Sequence, residues 1–159
     1  MRPREAGGTL LELVMCLGIL GILVGLTLVG FGRVVEDRRV EAVAWEIAGK
    51  LRWAQGLAVA RTADWRGVRV RITDRLEVLG VGRDGVETGV IGASDRFPDG
   101  VQVRLRGLHP FIEFAASGAP IPGSNQTIEV RSGASARYVV IAPQTGRVRI
   151  SPTPPQPDR

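Results

Sequence analysis

The chain has 159 residues, 44% of them apolar, with 21 basic and 16 acidic side chains and a net charge of +5. That length suits one domain of ordinary size. A lone cysteine, Cys16, and a lone histidine, His109, exclude an internal disulfide framework and a structural zinc site, and they leave most metal and acid–base chemistries without residues to carry them.

The first element is an apolar run. Leu13 to Gly32 is a stretch of twenty uncharged residues in which Thr27 is the only hydroxyl. As a helix it spans about 30 Å, the thickness of a bilayer core. A soluble buried helix would need a core on all sides, and a chain this small does not provide one. A cleaved secretory signal shares the basic start, Arg2 and Arg4, but its apolar run is usually only ~7–15 residues and ends in a small-residue cleavage site that is missing here. Glu12 stands at the front of the run, where an ionisable side chain is costly and therefore points to function. Arg33, Arg38 and Arg39 follow the run closely, so basic residues alone do not orient it in a membrane.

The residues Gly7-Gly8-Thr9-Leu10-Leu11-Glu12-Leu13-Val14, followed by an apolar helix, resemble the processing site of type IV prepilins and type II secretion pseudopilins. The resemblance implies that residues 1–7 are a leader removed by prepilin peptidase between Gly7 and Gly8, that Gly8 is then N-methylated, and that no cofactor is needed. It also implies a single-pass protein of the inner membrane, with a cytoplasmic N-terminus, residues 8–32 in lipid or a filament core, and a periplasmic or extracellular domain at 33–150. Gly8 replaces the phenylalanine or methionine usual at the mature N-terminus. Four helical residues separate Gly8 from Glu12, a rise of about 6 Å. A Glu12 carboxylate could pair with the freed amine of a neighbouring subunit, which offsets the cost of burying either charge and sets the axial register of an assembly. Gly21 and Gly25 form a small-xxx-small face for close helix packing.

The helix is expected to continue, roughly from Thr9 to Arg61. Val40, Val43, Ile47, Leu51, Ala54 and Ala58 recur at steps of three and four, and charged residues fill much of the rest. After Thr62 the period becomes two. Val68, Val70 and Ile72 alternate with Arg69 and Arg71. Leu76–Val81 and Val86–Ile91 flank Asp84-Gly85, a hairpin signal. Val101, Val103 and Leu105 alternate with Gln102, Arg104 and Arg106. Phe111–Phe114, Thr127–Val130, Tyr138–Ile141 and Arg147–Ile150 complete the strand candidates. Residues 151–159 contain four prolines and read as a disordered tail.

These elements predict an α+β protein in which a long N-terminal helix covers one face of an antiparallel sheet. Trp45, Trp53, Trp65, Phe97, Phe111 and Phe114 are the candidate aromatic core. Arg52-Trp53-Ala54-Gln55, Phe97-Pro98-Asp99-Gly100-Val101, Phe114-x3-Gly118 and Thr145-Gly146-Arg147-Val148-Arg149 together resemble the GspH/FimT-type minor pseudopilins. That resemblance implies assembly with other pilins or pseudopilins rather than catalysis.

Two motifs are decoys. Gly80-Val81-Gly82-Arg83-Asp84-Gly85 fits a dinucleotide fingerprint in spelling only, because strand-like runs lie on both sides of it and no helix follows. Asn125-Gln126-Thr127 spells a glycosylation sequon of little weight. Arg131, Arg137, Arg147 and Arg149 are more informative, since no acid lies between Val130 and Ser151. Arg147 and Arg149 should share one strand face and could grip phosphate. Their Gly-Arg-x-Arg setting resembles the segment linked to DNA uptake in FimT-like relatives, which makes DNA a candidate partner; a solvated face of an arginine-rich protein is the plain alternative.

Overall fold

A computed structural model of the chain describes residues 10–60, 65–107, 109–122 and 126–155; for residues 27–31 it describes the backbone alone. One helix, α1, runs Leu10–Ala60. The expected ends at Thr9 and Arg61 lie outside the described residues. The chain divides into two units, Met1–Val35 and Glu36–Arg159.

In the first unit the described residues are all helical, and their side chains are exposed as far as Leu26. Among the described residues no helix is long and apolar enough to cross a membrane. The run expected to do so, Leu13 to Gly32, includes residues 27–31, whose side chains lie outside the description.

In the second unit α1 is amphipathic. Val40, Val43, Ala44, Ile47, Ala48, Leu51, Ala54 and Ala58 are buried, so the stripe read from the sequence is the packing face, widened by two alanines. Eight strands follow: β1 (Gly67–Ile72), β2 (Leu76–Val81), β3 (Glu87–Ala93), β4 (Gln102–Arg106), β5 (Phe111–Ala115), β6 (Thr127–Ser132), β7 (Ser135–Ile141) and β8 (Val148–Ser151). A single sheet is what the alternation suggests; the structure has two. One is ordered β3-β2-β1-β5 and the other β4-β6-β7-β8, and every pairing is antiparallel. Alternation tells which side of a strand is apolar but not which strand lies beside it. Here β5 leaves its sequence neighbours β4 and β6 to pair with β1.

The helical stripe and the inner faces of both sheets form one apolar cluster, which includes Val68, Val70, Ile112 and Phe114 from the first sheet and Ile128, Val130, Val139 and Ile141 from the second. The aromatic expectations divide. Phe114 is fully buried, and Trp65 and Phe97 pack against the cluster. Trp45 and Trp53 are 55% and 43% exposed. Each stands two residues beyond a stripe position, about 200° round the helix, which puts it off the packing face. Phe111 alternates with the buried Ile112, faces outward, and carries the Arg69 guanidinium 4.2 Å above its ring.

Local chemistry explains the turns. Between β2 and β3, Gly85 has a φ of 84° and donates to Gly82 O, while Gly82 N–H donates to Val86 O at 2.8 Å. The glycine-rich motif is thus a hairpin. Ordered structure also reaches into the expected tail: Ser151 ends β8, and its Oγ donates to Thr153 O. Residues 156–159 and Asn125 lie outside the described residues.

Three of the four segments that carry the resemblance meet at one junction. Gln55 Nε2 on α1 donates to Gly118 O at 2.8 Å and to Thr145 O at 3.2 Å. Beside it Gly146 has a φ of 67°, and a Cβ there would collide with Gly118 O and with Gln55 Nε2. Arg52 Nη2 donates to Val148 O at 3.3 Å. Nearer the start of the unit, Arg137 on β7 pairs with Asp37 at 2.9 Å, and the Glu36 carboxylate lies against Gly133, whose φ is 54°. Polar contacts therefore fix the helix to the second sheet towards both ends of its packed half.

Gly146→Ala is expected to lower stability more than Gly100→Ala, because Gly100 shares the positive φ but has open space beside it. The backbone cost of either is about 1–2 kcal/mol, and the difference between their denaturant midpoints measures the close approach at Gln55.

Candidate functional site

The sequence places the assembly residues on the first unit. Gly7 and Gly8 lie outside the described residues. Glu12 is in the first turn of α1, where a carboxylate is favoured by the helix dipole. Leu10 is 84% exposed, and Leu11, Leu13, Val14, Leu17, Leu20 and Leu23 are exposed with it. Gly21 and Gly25 have nothing within 4 Å of where a Cβ would stand. A continuous apolar surface of this kind marks a segment whose proper surroundings are not water. Cys16 is exposed on the same segment.

The arginines are distributed by strand pleat. Paired residues of an antiparallel ladder share a face. In the second sheet Val130, Ile128, Val139, Ile141 and Val148 face the core, and Arg137, opposite Val130, shares their side. There it is held by Asp37, so the structure does not bring Arg137 together with the other candidates. Arg131 and Arg149 are on the outer face. Arg147, just before β8, is exposed, as is Arg149.

That outer face holds two further arginines that the sequence reading did not single out as a site. The register sets Arg104 opposite Glu129, and Glu129 opposite Tyr138. The next row runs Arg106, Thr127, Val140, Arg149. Arg106 and Arg149 are thus the ends of one row of four strands, about 14 Å apart at the spacing of paired strands. Glu129 organises the centre. Its carboxylate receives Arg106 Nη2 and Arg131 Nη2, each at 3.2 Å, and the Arg106 guanidinium lies 5.1 Å from the Tyr138 ring centre. Burial alone would raise the Glu129 carboxyl, but hydrogen bonding by Arg106 and the charges of Arg106 and Arg131 hold it below the ordinary carboxylate range. Gln102, Arg104, Arg106, Glu129 and Arg131 line a depression of about 380 Å³. The signal for Arg104 and Arg106 was the alternation of β4, which showed that they point outward; their proximity to Arg131 depends on β4 pairing with β6.

The first sheet handles its arginines differently. Glu113 is only 2% exposed and accepts Arg66 at 3.0 Å and Arg69 at 2.6 Å. Glu87 accepts Arg69 at 2.9 Å and is also paired with Arg71. The hydrogen bond from Arg71, helped by Arg69, holds the Glu87 carboxyl below its usual range although burial opposes this. Three cations therefore share two acids, and each is paired; Leu79 and Val81 are buried on the same outer side. The network can brace the sheet, but it leaves little free charge for a ligand. Among the described residues no group of three or more His, Cys, Asp or Glu side chains is placed to hold a metal ion.

This architecture is the pilin-like fold: a long N-terminal helix packed on antiparallel sheets. It is similar to the crystal structure of the type IV minor pilin FimU of Pseudomonas aeruginosa strain PAO1, with a TM-score of 0.61 and 20% identity over 74% of this chain and 91% of that one. A second crystal form of FimU gives a TM-score of 0.57 at 20% identity, over 70% of this chain and 92% of that one. The minor pseudopilin EpsH of the Type 2 Secretion System of Vibrio cholerae gives 0.53 at 18% identity, over 74% of this chain and 97% of that one. At these identities the likeness is one of fold. Comparison of the sequence with protein families and with curated proteins finds no match.

The two depressed carboxyls set the direction of a pH effect. A carboxylate whose folded pKa lies below its unfolded value stabilises above that unfolded value, near about 4.3, and the contribution is lost as pH falls through the folded one. The thermal midpoint is expected to fall steeply in acid, and the double variant Glu87→Gln/Glu129→Gln is expected to fall less steeply over the same range. Calorimetry across that range reads both slopes.

Proposed function

We propose that this chain is a minor pilin or pseudopilin. In this reading prepilin peptidase cuts between Gly7 and Gly8, Gly8 is N-methylated, and the apolar start of α1 anchors the subunit in the inner membrane. The subunit then joins other pilins at the initiating tip of a type II secretion pseudopilus or type IV pilus. The observation that carries it is that α1 bears two kinds of surface: an exposed apolar segment that contains Glu12, and a buried stripe against the sheets of a pilin-like fold. The first surface has no use within a lone soluble chain, whereas a filament core or a bilayer covers it.

The mechanism is mechanical rather than catalytic. Leaving the leader on would keep the amine of Gly8 in a peptide bond. Cutting it frees a cation that the Glu12 carboxylate of a neighbouring subunit can meet, so that only a correctly staggered subunit pairs both charges. Mass spectrometry of the mature chain should therefore find an N-methylated Gly8. Removing one partner of such a buried pair costs about 3–5 kcal/mol, so Glu12→Ala should cut incorporation into filaments by at least about a hundredfold. Unchanged incorporation contradicts the mechanism.

A second reading is favoured by one observation. Among the described residues neither the Arg147 nor the Arg149 side chain is paired, both are exposed, and Arg149 shares a sheet row with Arg106. Two such guanidinium groups suit the phosphates of DNA at a transformation pilus. The full chain should then shift duplex DNA in a salt-dependent manner. Arg147→Gln/Arg149→Gln should weaken binding and lower the slope against log salt by about 2. Equal binding and slope would remove this reading.

A further inference from the structure

Each sheet has two edges, and the chain closes most of them. At β5 it folds back on itself: Ala115 N–H donates to Ala119 O, Ile121 N–H to Glu113 O, and Phe114 bridges Pro120. On β3 two register irregularities distort the edge. The short β8 receives Arg52 at Val148 O and turns back at Ser151. On β4, which also lies near the end of β1, the edge away from β6 forms no ladder. Among the described residues, Gln102 to Arg106 make no backbone hydrogen bond beyond those to β6. Beside this strand is a depression of about 410 Å³, lined among others by Thr73, Asp74, Phe97 and Val103. Over its outer face lies the second depression, with Arg104, Arg106 and Arg131 around Glu129.

An open edge with unpaired main-chain groups is a template for another strand. The side chains select which strand. Arg104 and Arg106 are two apart and share a face, so an added strand would meet them with residues that also alternate by two. Of the cations on this face, Arg104 has no ionic partner among the described residues, while Arg106 and Arg131 share the single carboxylate of Glu129. The patch therefore has positive charge in excess. A second copy is a poor occupant. Any two-fold antiparallel self-pairing would put Arg104 and Arg106 of both copies on one face, and like charges that close repel. Duplex DNA is a poor one too, since Glu129 sits at the centre of the patch and a strand edge offers phosphate no groove to follow.

We infer that β4 is a docking edge for an extended acidic segment of a partner protein, which adds to the sheet as a fifth strand with carboxylates at alternate positions facing Arg104 and Arg106. Glu129 is a positioning residue here, because it holds Arg106 and Arg131 at the rim. The inference stands apart from the filament reading, since it rests on β4 and its neighbours and requires neither Glu12 nor removal of a leader.

The test uses the full chain in detergent and a fluorescein-labelled synthetic peptide, Gly-Thr-Glu-Val-Glu-Thr-Gly, with a second peptide carrying lysines in place of the glutamates. Saturable anisotropy is expected for the glutamate peptide alone, with slower amide exchange at Gln102 to Arg106. Arg104→Glu should weaken that peptide by about tenfold and gain binding to the lysine peptide. Exchange and the comparison of peptides on the unaltered chain decide the matter even if the variant misfolds. Equal affinity for both peptides, binding without protection of β4, or displacement of the peptide by a duplex oligonucleotide through the same arginines would each overturn it.

Discussion

An apolar sheet face has to be covered, and two sheets of four strands each present one. In this protein the cover for both is the same eight positions of one helix, from Val40 to Ala58. Half of those positions are alanine. Ala44 and Ala48, like Ala54 and Ala58, are four apart and so stack on one side of the helix. The alanines keep the stripe narrow, while Val40, Ile47 and Leu51 supply its bulk. If the stripe were lost, neither sheet would have an inner layer. The turns, the junction at Gln55 and the arginine faces all depend on that layer being filled.

The outer faces show how one basic protein can use its charge in two ways. Around Glu113 and Glu87 the arginines of the first sheet are paired, and Leu79 and Val81 are buried on the same outer side. Such a network resists rearrangement, because removing one partner leaves another charge poorly solvated. On the second sheet Glu129 faces a larger set of cations, and Arg104, Arg147 and Arg149 remain without ionic partners among the described residues. A net charge of +5 gives no hint of this asymmetry. It arises because Glu87 on β3 and Glu113 on β5 flank the arginines of β1, whereas Glu129 is the single carboxylate among the arginines of β4, β6 and β8.

Particular residues show how much was legible beforehand. The stripe on α1 was readable because helical neighbours are fixed by spacing alone, and no distant partner can change which positions share a side. Hairpin β2–β3 was readable because Asp84-Gly85 supplies a positive φ where the turn needs one. Size suggests a core role for Trp45 and Trp53, whereas helical angle decides their exposure. Sequence proximity groups Arg137 with Arg131, Arg147 and Arg149, yet strand parity turns it to the core side and Asp37 holds it there.

By itself, the sequence determined the α+β class, the amphipathic half of α1, most strand positions and the Glu12-bearing apolar segment. All of these are properties of consecutive residues with a fixed repeat. Only the tertiary structure decided that there are two sheets, that β5 joins β1, and that Arg104 and Arg106 come beside Arg131 around Glu129. It also brought Gln55 to the carbonyls of Gly118 and Thr145. The physical reason is the same in each case. A strand's own pattern fixes which face it buries, but its neighbour is chosen by how whole sheets pack over one helix, and that choice is made across long distances in the chain.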